Sequence, residues 1–372
     1  MTGRSTEALV IGKFYPPHLG HITLIERAAI EADRVTAIVM ASAGETIPLA
    51  DRVRWLASAV AHLPGVRVVG TLDDAPVDYG SEIAWVANTV QMQVALRRVG
   101  VDHVDVVVSS EPYGVELAAR LGARDVIHDV ERGRVRISGT AVRADPAATW
   151  SLLPPATQLG LAVRIVLVGG ESTGTTTLTE DLQRHYRLAG YPGVLPVPEY
   201  GRDFTYELHR RSVAEAERIG SPAPAPDQLV WLPEYFLEIA VEQTRREDAA
   251  ALSAPLVIAD TDALATTLWE RRYVGEGSRA SEPTLKTLPR RDLYIVTDHV
   301  GVLFEQDGWR DGEHIREQMT EWFLEAVDAG GWSWMLVRGS REERLEYAIE
   351  AIDGILAARL AFGAALAQRG AR

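Results

Sequence analysis

A segment rich in glycine and threonine, Gly-Gly-Glu-Ser-Thr-Gly-Thr-Thr-Thr, directly follows an apolar run in the middle of the chain. Its spacing matches G-x-x-x-x-G-K-[ST], the pattern of loops that bind phosphate chains, except that a threonine stands at the lysine position. A strand that leads through such a turn into a helix directs several backbone N–H groups at one anion, and the helix dipole adds to the attraction. The residues predicted to bind phosphate are Gly169, Gly170, Glu171, Ser172, Thr173, Gly174, Thr175, Thr176 and Thr177.

A second segment whose residues could take part in a reaction is G-K-F-Y-P-P-H-L-G-H at residues 12–21. It follows a short apolar run and leads into a stretch with helical apolar spacing, so both histidines fall at a strand-to-helix junction. Open parallel sheets bind ligands at such junctions. Two imidazoles there can donate hydrogen bonds to α-phosphate oxygens as negative charge develops, while Gly12 and Gly20 permit a close approach. The alternative is that His18 and His21 only cap and pack at a turn.

This segment matches G-x-F-x-P-x-H-x-G-H at all six specified positions, which include Phe14. On that match the chain resembles the nicotinamide mononucleotide adenylyltransferases of the nucleotidyltransferase superfamily. Residues 137–143, I-S-G-T-A-V-R, resemble the second signature of that superfamily. Its hydroxyls, at Ser138 and Thr140, and its Arg143 could hold the β- and γ-phosphates that leave as pyrophosphate. A helix N-cap is the plainer alternative for this heptapeptide.

The resemblance implies a transfer that needs no nucleophile from the protein. The phosphate of nicotinamide mononucleotide would attack the α-phosphorus of ATP, the co-substrate, to give NAD and pyrophosphate. The protein would supply orientation and charge stabilisation, and Mg²⁺ would neutralise the triphosphate. His18, His21 and Arg143 are then the predicted catalytic residues of the first half.

Two further residues of the first half could contact the substrate. Trp85 could stack on a nicotinamide ring, or it could belong to the core with the apolar residues around it. Arg54 could bind a substrate phosphate, or it could face water. The sequence leaves both alternatives open.

Buried strands alternate with helical stretches along the whole chain, which indicates the α/β class. We expect two doubly wound parallel-sheet domains, a Rossmann-like nucleotidyltransferase domain followed by a P-loop kinase-like domain. Several prolines between residues 145 and 156 indicate a boundary near residue 160. The predicted domains are residues 1–155 and residues 160–372.

Acidic residues end two apolar runs of the second half. Residues 194–199 are predicted to form a strand, and its last residue, Glu199, could act as a general base towards a substrate hydroxyl beside Arg202. A surface ion pair explains these two residues nearly as well. Asp260 ends another apolar run in the form of a Walker B segment, where it could reach Mg²⁺ together with Thr176.

Glycines surround charged residues in the segment 307–316, which indicates a mobile lid. Arg310 or Arg316 could then close on phosphates and supply the positive charge that Thr175 lacks. A solvated helix start is the alternative for this segment.

With these features the second half resembles the ribosylnicotinamide kinase domain that is joined to an adenylyltransferase in NadR-type bifunctional proteins. The resemblance implies that ribosylnicotinamide is phosphorylated with ATP and that the product is adenylylated to NAD. Because Thr175 replaces the lysine, a nucleotide-sensing module without catalysis and a purely structural module remain alternatives. Some proteins of this type begin with a DNA-binding helix-turn-helix, and the first predicted strand, near Ala8, leaves no room for one.

The composition limits the partners. The chain has 372 residues, a net charge of −14 and no cysteine, which excludes disulfides, thiolate metal sites and cysteine nucleophiles. The acidic balance argues against nucleic acid and anionic membrane as partners. We expect a cytoplasmic protein, and a homo-oligomer is compatible with the sequence.

Overall fold

The computed structural model describes residues 5–129, 133 and 135–363. The chain divides into two compact units: one runs up to Leu161 and includes the segment from Arg359 onward, and the other spans Ala162–Ala358. Within the described residues no helix is long and apolar enough to cross a membrane.

The first unit contains a five-stranded sheet whose strands are all parallel, in the order β3-β2-β1-β4-β5. Its strands are β1 (Glu7–Gly12), β2 (Arg34–Ala41), β3 (Val66–Leu72), β4 (Val106–Ser109) and β5 (Arg124–Ile127). Its helices are α1 (Leu19–Glu31), α2 (Leu49–Ala59), α3 (Glu82–Arg98), α4 (Tyr113–Leu121), α5 (Gly139–Ala144), α6 (Pro146–Thr149) and α7 (Pro155–Leu161). The strand order reverses between β1 and β4, and ligands bind at such a switch point in open α/β sheets.

Alternate residues of β1 enter two separate cores, as the two-residue period of a strand requires. Val10 packs with Ile25 of α1 and the apolar face of α2, whereas Leu9 packs with Leu96 of α3 and Leu117 of α4. Helices therefore cover both faces of the sheet, which is the doubly wound arrangement.

The second unit contains a four-stranded parallel sheet in the order β7-β6-β8-β9. Its strands are β6 (Val163–Gly169), β7 (Leu256–Asp260), β8 (Leu293–Thr297) and β9 (Trp334–Val337). Its helices are α8 (Thr175–Leu188), α9 (Tyr200–Ile219), α10 (Pro233–Ala251), α11 (Ala263–Tyr273), α12 (Arg316–Ala329) and α13 (Arg341–Arg359). Val166 and Val168 of β6 pack with Phe323 of α12, so this sheet too is buried beneath helices. The predicted fold class is confirmed.

Two predictions about the second half differ from the structure. Residues 194–199 do not form a strand, because only an isolated bridge joins Val197 to Ala259. The prolines on either side of Val197 lack the N–H groups that a ladder needs.

The end of the second domain also differs from the prediction, which extended that domain over residues 160–372. The Thr46 hydroxyl donates to the Ala361 carbonyl at 3.2 Å, and the Phe362 ring packs edge-on against Tyr15. These contacts place the end of α13 and the residues after it with the first unit. Residues 1–4 and 364–372, the outer ends of the predicted domains, lie outside the described residues.

Candidate functional site

The first candidate site lies where β1 ends and α1 begins. His18 is the N-cap residue of α1 and is 5% exposed. Its backbone N–H donates to Nδ1 of His21 at 3.1 Å, and the two imidazole rings stack with centroids 3.6 Å apart. Because Nδ1 of His21 accepts this bond, the proton of a neutral His21 ring lies on Nε2. The two histidines thus form an oriented pair at the switch point of the sheet.

The two predicted signatures of the first unit meet in this site. Arg143 donates from Nη1 to the carbonyl of Tyr15 at 2.8 Å and from Nη2 to the Thr140 hydroxyl at 3.2 Å. A Cβ at Gly20 would come within 3.1 Å of Ile137, so a larger residue at position 20 would require the Ile137 side chain to shift. Desolvation by burial lowers the pKa of Arg143. Residues far apart in sequence therefore build one site with two imidazoles and a guanidinium.

Three residues of the two signatures shape this site through contacts with their neighbours. Gly12 ends β1, and a Cβ there would come 3.3 Å from the ring of Phe14. Phe14 is 1% exposed and packs against His21 with ring centroids 4.7 Å apart. The Ser138 hydroxyl accepts from the Ala141 N–H at 3.1 Å, so Ser138 caps α5. This is the helix N-cap that the sequence left open as the plainer alternative.

A buried ionic cluster beside the first signature was not predicted. The Glu45 carboxylate pairs with Lys13 Nζ at 2.7 Å and with Arg52 Nη1 at 2.5 Å. The Arg52 guanidinium also lies 4.2 Å from the centroid of the Tyr15 ring. Burial opposes the ionisation of Glu45, but the two cations outweigh it and lower its pKa. This cluster orients Lys13, which belongs to the first signature.

The two candidates for substrate contact in the first unit lie elsewhere. The Arg54 side chain is 67% exposed and pairs with Asp51 at 2.8 Å, so it faces water. Trp85 is 9% exposed, its indole N–H donates to the Tyr79 carbonyl at 3.1 Å, and the Arg120 guanidinium lies 5.0 Å from its ring centroid. Trp85 therefore belongs to the core between α3 and the sheet, and the stacking hypothesis is replaced by the core alternative.

The second candidate site is a cavity of about 760 Å³ at the carboxyl edge of the second sheet. The predicted phosphate loop runs from the end of β6 into the first turn of α8, and all of its residues from Gly169 to Thr177 line the cavity. Gly174 has a φ of 85°, a left-handed conformation that side chains disfavour. The shape of the loop therefore favours glycine at position 174.

The threonine at the lysine position takes part in a cluster of hydroxyls. Thr175 Oγ1 lies 2.7 Å from Thr297 Oγ1 at the end of β8, and Thr173 Oγ1 lies 2.7 Å from the same atom. Thr173 also donates to the carbonyl of Gly170 at 2.8 Å. These bonds connect the loop to the sheet, but they bring no positive charge.

Two carboxylates enter the cavity close to the loop. The Thr176 hydroxyl donates to Asp260 Oδ2 at 2.6 Å, and Glu199 is the N-cap residue of α9. Burial, together with the charge of Asp260, raises the pKa of Glu199 to about 7, and burial raises the pKa of Asp260 to about 6. Arg202, on the cavity wall, pairs with Asp307 at 3.1 Å.

The oxygens of Thr176 and Asp260 suit a divalent cation, which ATP-using folds of this kind generally need. No group of three or more potential ligands occurs among the described residues. A cation here would therefore take its remaining ligands from phosphate oxygens and water, as Mg²⁺ commonly does.

The side chain of Glu171 binds the segment that was predicted to be a lid, not a phosphate. Its Oε2 accepts from the N–H of Gly312 at 2.7 Å, and its Oε1 pairs with Arg272 Nη1 at 3.1 Å. The Ser172 hydroxyl accepts from the N–H of Glu305 at 2.8 Å. The loop and this segment are thus hydrogen-bonded to each other.

The two predicted lid arginines have different positions. Arg310 is on the cavity wall, with Nη1 3.3 Å from the Ser172 hydroxyl. Arg316 is 8% exposed and donates to the carbonyls of Ser172, at 2.9 Å, and Val302, at 3.0 Å. Arg316 therefore holds the loop backbone instead of closing over the cavity.

An aromatic wall that lines the same cavity was not predicted. Trp231 stacks on Tyr273 with centroids 5.2 Å apart, and Tyr273 stacks on Trp269. Trp309 packs edge-on against Tyr206 at 4.7 Å. These residues are scattered over more than one hundred positions, so no local motif connects them.

Comparisons with known proteins match each of the two units to a different family. Residues 9–145 match the cytidylyltransferase-like family and residues 164–344 match the AAA domain family. The chain is 25% identical over 288 residues to the trifunctional NAD biosynthesis/regulator protein NadR of Escherichia coli (strain K12). That match covers 73% of this chain and 64% of the relative, so the chain spans less than two thirds of its length.

Two solved structures share the fold over nearly the whole chain. A NadR protein in complex with NR has a TM-score of 0.58 at 19% identity, covering 95% of this chain and 96% of its own. A NadR protein in complex with NAD and AMP-PNP has a TM-score of 0.55 at the same identity and coverage. The predicted resemblance is thereby confirmed: the chain is similar to the NadR proteins in sequence and in fold, and its two halves match the cytidylyltransferase-like and AAA domain families.

Proposed function

We propose that this chain makes NAD from ribosylnicotinamide by two transfers from ATP. The second unit phosphorylates the 5′-hydroxyl of ribosylnicotinamide, and the first unit transfers AMP to the resulting nicotinamide mononucleotide. The observation that carries the proposal is that one chain holds two candidate phosphate-binding sites of different construction. The names of the relatives support it, since one is an NAD biosynthesis protein and the others hold NR, or NAD with AMP-PNP.

In the first unit, the pair of imidazoles and Arg143 would stabilise charge on ATP. A phosphate oxygen of the mononucleotide attacks the α-phosphorus, the bond to the β-phosphate oxygen breaks, and pyrophosphate leaves. From the start of α1, His18 and His21 would donate to the α-phosphate, and Arg143 would hold the departing phosphates. The cluster around Glu45 keeps Lys13 oriented beside them.

In the second unit, Glu199 would accept the proton of the ribose hydroxyl as that oxygen attacks the γ-phosphorus of ATP. The bond between the γ-phosphorus and the bridging oxygen breaks, and ADP leaves. A carboxyl group whose pKa is about 7 is poised for this role near neutral pH. The loop N–H groups would hold the phosphates, and the aromatic wall around Trp231 and Tyr273 offers stacking surface to a nicotinamide ring. Asp260 and Thr176 would hold Mg²⁺, whose contribution is to neutralise polyphosphate charge.

The test uses the full chain with ATP, MgCl₂ and ribosylnicotinamide, and follows nicotinamide mononucleotide and NAD by chromatography. Both products are expected, and a parallel reaction that starts from the mononucleotide should give NAD directly. Failure of the parallel reaction would refute adenylyl transfer. NAD from the mononucleotide but no product from the riboside would refute phosphoryl transfer and favour a nucleotide-sensing module, the alternative that Thr175 supports.

A further inference from the structure

Two buried arginines hold consecutive carbonyls of the phosphate loop. Arg316, the first residue of α12, donates from Nη2 to the carbonyl of Ser172 at 2.9 Å. Arg344, near the start of α13, donates from Nη1 to the carbonyl of Thr173 at 2.7 Å. The two residues are only 8% and 5% exposed, so two positive charges are buried against one short stretch of backbone.

The groups that these arginines contact are neutral. The remaining bonds of Arg344 go to the carbonyls of Gly339, at 3.0 Å, and Asp298, at 3.1 Å. Nε of Arg316 is buried without a hydrogen-bond partner among the described residues. Within that part of the chain neither guanidinium forms an ion pair, and the Asp298 carboxylate pairs with Arg338 at 2.5 Å. The carboxylates of Asp298 and Glu313 attract these charges only from beyond ion-pair distance. An anion bound in the cavity would therefore lower the cost of burying the two guanidinium groups.

The position of Arg344 indicates where that anion binds. Arg344 lines the cavity, and its Nη1 would lie 3.8 Å from a Cβ at Gly174, the residue before Thr175. A hydrogen bond to a carbonyl also polarises the N–H on the other side of the same peptide group. Bonds to the carbonyls of Ser172 and Thr173 therefore strengthen the N–H groups of Thr173 and Gly174 as donors to phosphate.

We propose that Arg316 and Arg344 supply, from behind the loop backbone, the positive charge that the missing lysine would bring to the polyphosphate of ATP. They are positioning residues, because they act through the loop. The proposal rests on the proposed phosphoryl transfer and states how that site binds ATP with Thr175 in the lysine position. It also predicts that a lysine returned to position 175 can replace one of the two arginines.

The experiment compares ATP binding and turnover in the full chain. Calorimetry with ATP and MgCl₂ should show two sites, one for each unit. Arg344→Gln should weaken one site and raise the KM for ATP in riboside phosphorylation by a factor of about 10 or more, the effect of a charge-assisted bond. The KM for ribosylnicotinamide and the rate of adenylyl transfer should not change. Arg245→Gln is the matched control, because that arginine is 68% exposed on α10 and pairs with Glu242.

The decisive variants separate charge from structure. Arg344→Gln combined with Thr175→Lys should recover most of the lost affinity, and Arg344→Lys, which keeps the charge, should lose less than Arg344→Gln. No recovery in the double variant, or unchanged ATP binding in Arg344→Gln, would overturn the inference. Wild-type protein with two ATP sites but no riboside phosphorylation would refute the proposed kinase activity alone. A single ATP site in the wild type would overturn both.

Discussion

Replacing Glu199 by glutamine tests the proposed general base with almost no change of shape. Glu199 lies at the N-terminus of α9, on the wall of the cavity that holds the phosphate loop. Glutamine keeps the size of the side chain but cannot accept a proton at neutral pH. The substitution therefore removes the proton acceptor and leaves the cavity as it is.

The expected loss follows from the size of general base catalysis, about 10²- to 10⁴-fold in the phosphorylation rate. The wild-type rate should also rise with pH through about 7, the value to which burial and the charge of Asp260 raise the pKa of Glu199. The protonated form of Glu199 cannot accept a proton and is inactive. The rate therefore falls about tenfold per pH unit below the pKa and is constant above it. Because Glu199 and Asp260 interact, the apparent pKa in the rate profile is a property of the pair and not of Glu199 alone.

The assay follows riboside phosphorylation at saturating substrates from about pH 5.5 to 9. Adenylylation of added mononucleotide serves as the internal measure of intact protein. Glu215→Gln is the matched control, since that carboxylate lies on the same helix, is 56% exposed and pairs with Arg218. A Glu199→Gln enzyme that keeps the wild-type rate within a factor of about three would refute the assignment.

Three further changes have defined outcomes. His18→Ala should lower adenylyl transfer at least about 100-fold and leave riboside phosphorylation unchanged, which parallel assays of one preparation would check. Thr176→Ala removes the hydroxyl bonded to Asp260, so the Mg²⁺ concentration for half-maximal phosphorylation should rise, as a metal titration would show. Arg291→Met leaves the buried Glu247 carboxylate without its partner at 2.9 Å and should destabilise the second unit by about 3–5 kcal/mol in urea unfolding.

Local patterns predicted the parts of both sites that consecutive residues build. The spacing from Gly12 to His21 fixes a strand end, a turn and a helix start, and the structure forms each of them there. The loop after β6 could be predicted for the same reason, since its glycines and the apolar run before it determine a strand, a turn and a helix. In such segments the chemistry and the fold depend on the same few neighbours.

Burial decided the predictions that failed. Arg52 and Arg54 stand in the same short segment, yet Arg52 is fully buried beneath Tyr15 while Arg54 faces water. Arg316 looked like a lid residue but holds the Ser172 carbonyl. Each outcome depends on residues distant in sequence, and no periodicity or spacing carries that information. The same holds for the aromatic wall, which four separate elements assemble.

The charges nearest the phosphate loop show why a chain with a net charge of −14 can still offer an anion site. Two acidic groups near the loop each have an arginine partner: Glu171 pairs with Arg272 at 3.1 Å, and Asp181 pairs with Arg341 at 2.6 Å. The charges of those pairs cancel at short range, whereas the hydrogen bonds that Arg316 and Arg344 form with the described residues go to carbonyls. Two buried cations therefore lie behind the loop, and screening suppresses the distant surface carboxylates more than it suppresses these cations.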